Sequence, residues 1–321
     1  MLAATGLFSR RYGAYVTDLL SGPFGVASSV ATLRQVALRT PSLHLLPDGS
    51  RDVGFTEADL AAHSNAHWSA DGRTLDLDVL LGDHRGFAAL LSSLGADVHV
   101  LPPLLGHADS VFTYDPCLST PWGTVVLRQA KLARQGEAEP LAEELERLGV
   151  PVLARLSAPA FADAGDMVWL DGHTLAVGRT YRTNNAAVHQ LRSSLEPHGV
   201  TLENYDLPHD QGPDWCLHLM SVISPVRENL AVVFERLAPV ALLQALTERG
   251  ISTVSVPEEE WLSLGCNVLA VAPGVAVIGS GNPVTTSRLR AAGVEVHVFE
   301  AGQTNQGEGG PTCMTRPYLR R

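Results

Sequence analysis

The chain has 321 residues, 45% of them hydrophobic, and a formal net charge of -11 at pH 7. That length buries a large core. The acidic balance excludes a nucleic-acid or anionic-membrane surface, since either needs clustered positive charge. Lysine occurs once, at Lys131. Cys117, Cys216, Cys266 and Cys313 are widely spaced with no CxxC pair, which favours reduced thiols over a disulfide framework or a zinc site. The opening "MLAATGLFSRRYGAYV" holds no apolar run long enough for a secretory signal. No stretch approaches the roughly 18 apolar residues of a membrane span. The reading is a soluble, cytoplasmic protein.

Along the chain one pattern recurs: a strand candidate, an amphipathic helix, a glycine, then a short alternating strand. "QVALRT" precedes "HRGFAALLSSLGADVHVLP", which turns at Gly95, and "GTVVLR" precedes "AEPLAEELERLGVPVLARL", which turns at Gly149. "HTLAVG" leads to a turn at Gly199, "ENLAVVF" to one at Gly250 and "GVAVIGS" to one at Gly293. Apolar residues before each glycine have helical spacing, and glycine suits a helix C-cap. A further apolar run closes each unit: "SVFTYDP", "DMVWLD", "CLHLMSVIS", "CNVLAVAP" and "TCMTRPY".

Units repeating at roughly fifty residues point to a solenoid or a closed ring. The alternative is a doubly wound sheet, in which βα segments also recur. Two strands per connection and the lack of a Gly-rich dinucleotide turn favour an α/β propeller of five units in a single domain, residues 1–321. A ring brings equivalent positions together on one axis. The residues that would meet there are Asp109 to Asp115, Asp163 and Asp166, His218, Asn267 and Cys313. The segment 42–83, rich in Gly, Asp, Ser and His and containing Trp68, is either a lid or an exposed insertion. In the terminal "GEGGPTCMTRP" the glycines allow tight turns or close approach to a ligand. The cysteine there is either at a pocket edge or a small buried apolar side chain.

With these motifs the chain resembles the guanidino-group-modifying (pentein-type) superfamily of dimethylarginine dimethylaminohydrolases, arginine deiminases and amidinotransferases. The resemblance rests on "DSVFTYDP", "DAGD", "YRTN", "LHLMS" and "GGPTCMTRP", in that order from about residue 30 to the C-terminus. It implies a five-unit propeller, no cofactor, no metal, and a small guanidino substrate as partner, with association of copies left open. It implies Cys313 as the nucleophile attacking the guanidinium carbon, and His218 as the acid and base for the leaving amine and water. It implies Asp115 as a guanidinium-binding carboxylate and Asp163 as a support for the histidine or substrate. Asp109 and Phe112 are further candidates in the substrate shell, and Arg182 and Arg134 resemble arginines that bind an α-carboxylate. Asp166 reads as structural, and Cys117, Cys216 and Cys266 as packing residues. Deiminases carry an aspartate two residues after the histidine, where this chain has Met220. Dimethylarginine hydrolases carry an acidic residue where it has Tyr114. The expected reaction is hydrolysis of a methylated arginine to citrulline and an amine. The alternatives are an arginine deiminase or dihydrolase, an amidinotransferase, or a ligand-binding protein with a degraded site.

Overall fold

The computed structural model describes residues 22–41, 76–213 and 215–321. The first strand, β1 (Leu33–Arg39), is followed by helix α1 (Leu77–Ser93) and β2 (Asp97–Leu101). Then come β3 (Cys117–Thr120), β4 (Gly123–Val126), α2 (Ala138–Arg147) and β5 (Val152–Arg155). The third group is β6 (Met167–Trp169), β7 (Thr174–Arg179), α3 (Asn185–Leu195) and β8 (Thr201–Asp206). The fourth is α4 (Leu219–Val222), β9 (Ile223–Arg227), β10 (Leu230–Val233), α5 (Val240–Glu248) and β11 (Ser252–Ser255). The last is β12 (Val268–Ala272), β13 (Val275–Gly279), α6 (Pro283–Ala291), β14 (Glu295–Phe299) and the terminal β15 (Arg316–Arg320).

These strands form five three-stranded sheets: β3-β4-β5, β6-β7-β8, β9-β10-β11, β12-β13-β14 and β15-β1-β2. In the first four, a tight turn makes the first pair antiparallel, and in all five a crossover helix makes the second pair parallel. The fifth sheet differs in sequence order and in how its first pair is joined. Its first strand is β15, which pairs antiparallel with β1 and so joins the two ends of the repeat into a ring. The architecture is the five-unit α/β propeller expected from the repeat, not a doubly wound sheet.

The five repeat glycines lie just beyond their helices with φ of +92° (Gly95), +87° (Gly149), +81° (Gly199), +68° (Gly250) and +77° (Gly293). That left-handed turn is why the break residue is glycine each time. Helix starts use side chains: the Asp76 carboxylate accepts the amides of Asp78 and Val79, and Asn184 accepts that of Ala187. Helix α6 is capped at long range, with buried Glu260 accepting the amides of Val284 at 2.6 Å and Thr285 at 2.8 Å.

Middle strands such as "LAVV" in β10 are buried throughout, since helices cover them on one side and neighbouring sheets on the other. The core is accordingly divided into clusters between adjacent units. In one, Leu80, Phe87 and Leu91 of α1 pack on Val36 and Leu38 of β1 and reach Val277 and Phe299 of the preceding sheet.

In three units the closing run begins differently from the sequence expectation. "SVFTYDP" opens with a 3-10 turn at Ala108–Val111 and strand structure starts at Cys117; "CLHLMSVIS" forms the one-turn helix α4 before its strand; "TCMTRPY" becomes a strand at Arg316. Residues 42–75 of the expected lid or insertion lie outside the described residues, and residues 77–83 belong to the first turns of α1. Among the described residues, no helix is long and apolar enough to cross a membrane.

Candidate active site

Each inner strand delivers the residues before it to one end of the ring. Asp115 precedes β3, Asp163 and Asp166 precede β6, His218 caps α4 ahead of β9, Asn267 precedes β12, and Cys313 precedes β15. The convergence expected from the repeat is therefore present. Asp115, His218, Asn267 and Cys313 line one cleft of about 940 Å³, counted out to its open mouth. Its walls are completed by Phe112, Trp215, Met220, Trp261 and Leu262.

The Cys313 thiol receives a hydrogen bond from Asn267 Nδ2 at 2.9 Å, while Asn267 Oδ1 accepts the Thr312 amide at 3.0 Å. The two preceding glycines explain how these groups fit. A Cβ on Gly310 would stand 2.6 Å from Asn267 Cγ, and one on Gly309 would stand 2.0 Å from the Phe112 ring. Neither glycine is needed for a positive φ; both admit a neighbouring side chain against the backbone. Burial pushes the Cys313 thiol up to about 11, with the Asp115 charge adding to it and the Gly310 amide and Asn267 opposing it.

His218 Nε2 lies 3.3 Å from Asp163 Oδ2, and its Nδ1 lies 3.9 Å from Asp115 Oδ1. Burial would push this imidazole down. The Cys216 and Asp115 charges and the hydrogen bonds to Asp163 and Cys216 outweigh it and hold the ring well above its ordinary value. The backbone around it is pinned: His218 N donates to Ser221 Oγ at 3.1 Å, and Asp166 Oδ1 accepts the Leu219 amide at 2.9 Å. Asp166 thus serves the start of α4, as its structural reading implied. Burial raises its carboxyl to about 6 against the opposing His218 charge and its hydrogen bonds. Asp163 is buried, does not line the cleft, and meets the His218 ring from the side away from it.

Asp115 is held by three partners. Its Oδ2 accepts Arg134 Nη1 at 2.6 Å, its Oδ1 accepts the Gly165 amide at 3.0 Å, and the His218 ring is nearby. Burial alone would raise this carboxyl, yet the His218 and Arg134 charges hold it below the ordinary carboxylate value. Asp115, Asp163 and His218 place ligand-type atoms within 4.8 Å of one another, a spacing that could also hold a cation. Arg134 already supplies a cation to Asp115.

Arg134 corrects one expectation. Its guanidinium is buried between Asp115 and Glu137, donating to Glu137 through Nε and Nη2, the latter at 2.8 Å, and to the Phe112 carbonyl. A guanidinium enclosed by two carboxylates is fully used, so it does not offer itself to a substrate carboxylate. Arg182 lies outside the Cys313 cleft, in an adjoining cavity that shares Trp215 as a wall. It is 6% exposed, and its Nε has no hydrogen-bond partner among the described residues. Phe112 is in the cleft wall as expected. Asp109 is buried outside the wall, 3.8 Å from the Lys131 ammonium.

Among the cleft residues to which the sequence reading gave no role are a thiol and a carboxylate. Cys117 is a buried packing residue and buried Cys266 only borders the cleft, but Cys216 lines it with its sulfur 3.6 Å from His218 Nδ1. Its two-residue spacing from His218 was the available signal. Glu308, at φ +60°, adds a carboxylate to the wall from the loop "GEGG", where a charged residue between glycines was the cue.

Comparison with known proteins agrees with this geometry. A family model for arginine deiminase matches residues 222–320. The dimethylarginine dimethylaminohydrolase of Pseudomonas aeruginosa is 26% identical over 240 residues, covering 75% of this chain and 89% of that one. An arginine deiminase of Limosilactobacillus reuteri is 29% identical over 192 residues, 49% of this chain and 47% of its own length. Among solved structures, a citrulline complex of a mutant of the Pseudomonas aeruginosa hydrolase superposes with a TM-score of 0.72 at 23% identity, over 90% of this chain and all of that one. The product-bound N-terminal domain of a cyanobacterial arginine dihydrolase gives 0.72 at 18% identity, over 88% and 96% of the two chains. In its closed ring of five units and the order of its motifs, the chain is similar to the guanidino-group-modifying superfamily that includes the arginine deiminases and the dimethylarginine dimethylaminohydrolases.

Proposed function

We propose that the protein is a cysteine-dependent hydrolase of a guanidino compound, an arginine bearing an alkylated guanidino nitrogen, that releases citrulline and an amine. The observation that carries the reading is the cleft in which the Cys313 thiol, the Asp163-supported His218 ring and the Asp115 carboxylate share one wall system. Cys313 is protonated in the free protein, so docking of a cationic guanidinium favours the thiolate by charge attraction, the thiol proton leaving to solvent. The thiolate sulfur bonds to the guanidinium carbon, and the C–N bond to the leaving amine breaks. His218, held protonated through neutral pH, gives its proton to that amine. The neutral ring then takes a proton from water as the hydroxyl adds to the same carbon, and the C–S bond breaks to leave the ureido product and free Cys313.

Asp115 and Glu308 are the carboxylates on the wall for the guanidinium. The apolar surface of Trp215, Met220, Trp261 and Leu262 suits an alkylated nitrogen, which has lost an N–H and gained methyl groups. The buried Arg182 guanidinium behind Trp215 is the candidate for the substrate's carboxylate.

The test is an end-point ureido assay with mass spectrometry of products on arginine, monomethyl- and asymmetric dimethylarginine, agmatine and guanidinoacetate, with Cys313→Ser as control. Citrulline plus methylamine or dimethylamine, lost in a folded Cys313→Ser protein, is the expected result. Citrulline plus ammonia from arginine at the higher kcat/KM moves the assignment to a deiminase. Transfer to an added amine without ureido product moves it to an amidinotransferase. Retained turnover in Cys313→Ser refutes the nucleophile.

A further inference from the structure

Beneath the active-site cleft lies a second cavity on the ring axis, of about 480 Å³ counted out to its own mouth. All five inner strands contribute to it: Ser119 from β3, Trp169 from β6, Pro225 from β9, Leu269 from β12 and Arg316 from β15 are in its wall. Tyr114, Met220 and Thr312 line both cavities and form the partition between them.

Its polar groups are of one electrical kind. Arg316 and Arg320 are 3% and 4% exposed. Arg316 hydrogen-bonds the Cys117 carbonyl, and its guanidinium carbon lies 4.0 Å from the centre of the Tyr114 ring. Arg320 donates to the Ala31 carbonyl at 2.7 Å and the Ala270 carbonyl at 2.9 Å. Neither is paired with a carboxylate among the described residues. Burial lowers both, Arg320 to about 10, which still leaves both charged at neutral pH. Four further polar atoms of this wall are buried without a hydrogen-bond partner among the described residues: Arg316 Nε, Trp169 Nε1, Ser119 Oγ and Thr312 Oγ1. The first two can only donate, and the hydroxyls are able to. Ser29 Oγ, in the same wall, accepts the Trp169 amide at 3.1 Å and keeps its own proton to donate.

Two buried cations that no carboxylate contacts among the described residues, with Asp115 acting on Arg316 only from a distance, and a set of orphaned donors on one cavity are costly unless something accepts from them. Carbonyl contacts satisfy some N–H groups and leave the charge in place. We propose that the axial cavity binds a small monovalent anion, a halide or a small oxyanion of the formate or bicarbonate kind, held by Arg316, Arg320, Ser119 and Trp169. The anion would replace in this ring the carboxylate that the two arginines lack.

The test uses the full chain, with bromide and formate as separate probes in sodium gluconate that holds ionic strength constant. Thermal unfolding should show a saturable rise in Tm of about 2 °C at tenfold excess over half-saturation for at least one probe. Ser119→Ala and Trp169→Phe each remove one donor with little change of shape. They should raise the half-saturating concentration at least fivefold while the Tm without probe stays within a few degrees. Crystals grown with bromide should show an anomalous peak in the cavity if halide is bound. Response to formate alone assigns the site to oxyanions. Equal Tm in bromide, formate and gluconate, or cavity density that refines as ordered water only, overturns the proposal. None of these readouts depends on turnover, so they stand apart from the hydrolase reading.

Discussion

Gly165 is the position where one methyl group tests the whole arrangement. Its amide donates to Asp115 Oδ1 at 3.0 Å, and its α-carbon faces the His218 ring. A Cβ there would stand 2.4 Å from His218 Nδ1, 2.8 Å from its Cγ and 2.9 Å from Asp115 Oδ1. Ordinary van der Waals contact begins at 3.4 Å, so the imidazole has to retreat by about 1 Å. Misplacement of a reacting group on that scale costs about 10²-fold in rate, or about 2.7 kcal/mol of transition-state stabilisation. Gly165→Ala should therefore lower kcat/KM about 100-fold on the best methylarginine substrate, chiefly through kcat, in a protein that still melts cooperatively. Gly172→Ala is the control, because nothing lies within 4 Å of its Cβ position; its activity should stay within twofold. Steady-state kinetics beside a thermal melt separates loss of geometry from loss of fold. A folded Gly165→Ala protein with activity within threefold of the parent would refute the placement of His218 as the acid and base.

Three further outcomes follow from the same geometry. With the Cys313 thiol pushed up to about 11, roughly 10⁻⁴ of it is ionised at pH 7; iodoacetamide labelling of the Cys313 peptide should climb about tenfold per pH unit from 7 to 9, and a plateau near neutrality would contradict it. Asp166, raised from 3.8 to about 6, keeps its proton in the folded chain while the unfolded chain loses it, so its stabilisation is complete below pH 4 and fades as pH rises to 6. The change is about 3 kcal/mol, and urea unfolding of Asp166→Asn should lack that part of the pH slope; identical slopes would show that Asp166 does not titrate there. Met220→Asp puts a charge where methyl groups are proposed to sit and adds an acceptor for an N–H. It should shift the kcat/KM ratio at least tenfold from dimethylarginine toward arginine, and an unchanged ratio would place the alkyl group elsewhere.

The ring and the convergence of its inner-strand residues were legible because both follow from local rules repeated along the chain. A left-handed residue must follow each helix, and glycine marks it at Gly95, Gly149, Gly199, Gly250 and Gly293. A buried strand reads as an apolar run, so the polar residue ahead of each run stands out and falls on the axis. Pairings that depend on distance in space left weaker marks. Arg134 resembled a substrate-binding arginine. Glu137, three residues on in "ARQGE", and Asp115, nineteen residues back, enclose it instead. Among the described residues no acid pairs with Arg182, and its neighbours in sequence do not reveal that it sits in an adjoining cavity sharing Trp215 with the cleft.

The glycines before Cys313 show where such local rules end. Glycine serves two purposes, access to positive φ and room for a neighbour, and composition cannot distinguish them. At Gly309 and Gly310 the reason is room: the Phe112 ring and the Asn267 amide come from parts of the chain about 200 and 43 residues away, brought there by ring closure. Each glycine is therefore intelligible only together with the residue it admits. Because Asn267 also receives the Thr312 amide and donates to the Cys313 sulfur, an added methyl at Gly310 would act on the thiol through Asn267. The site's geometry is thus written in pairs of positions that the fold makes adjacent: Gly310 with Asn267, Gly309 with Phe112, and Gly165 with His218.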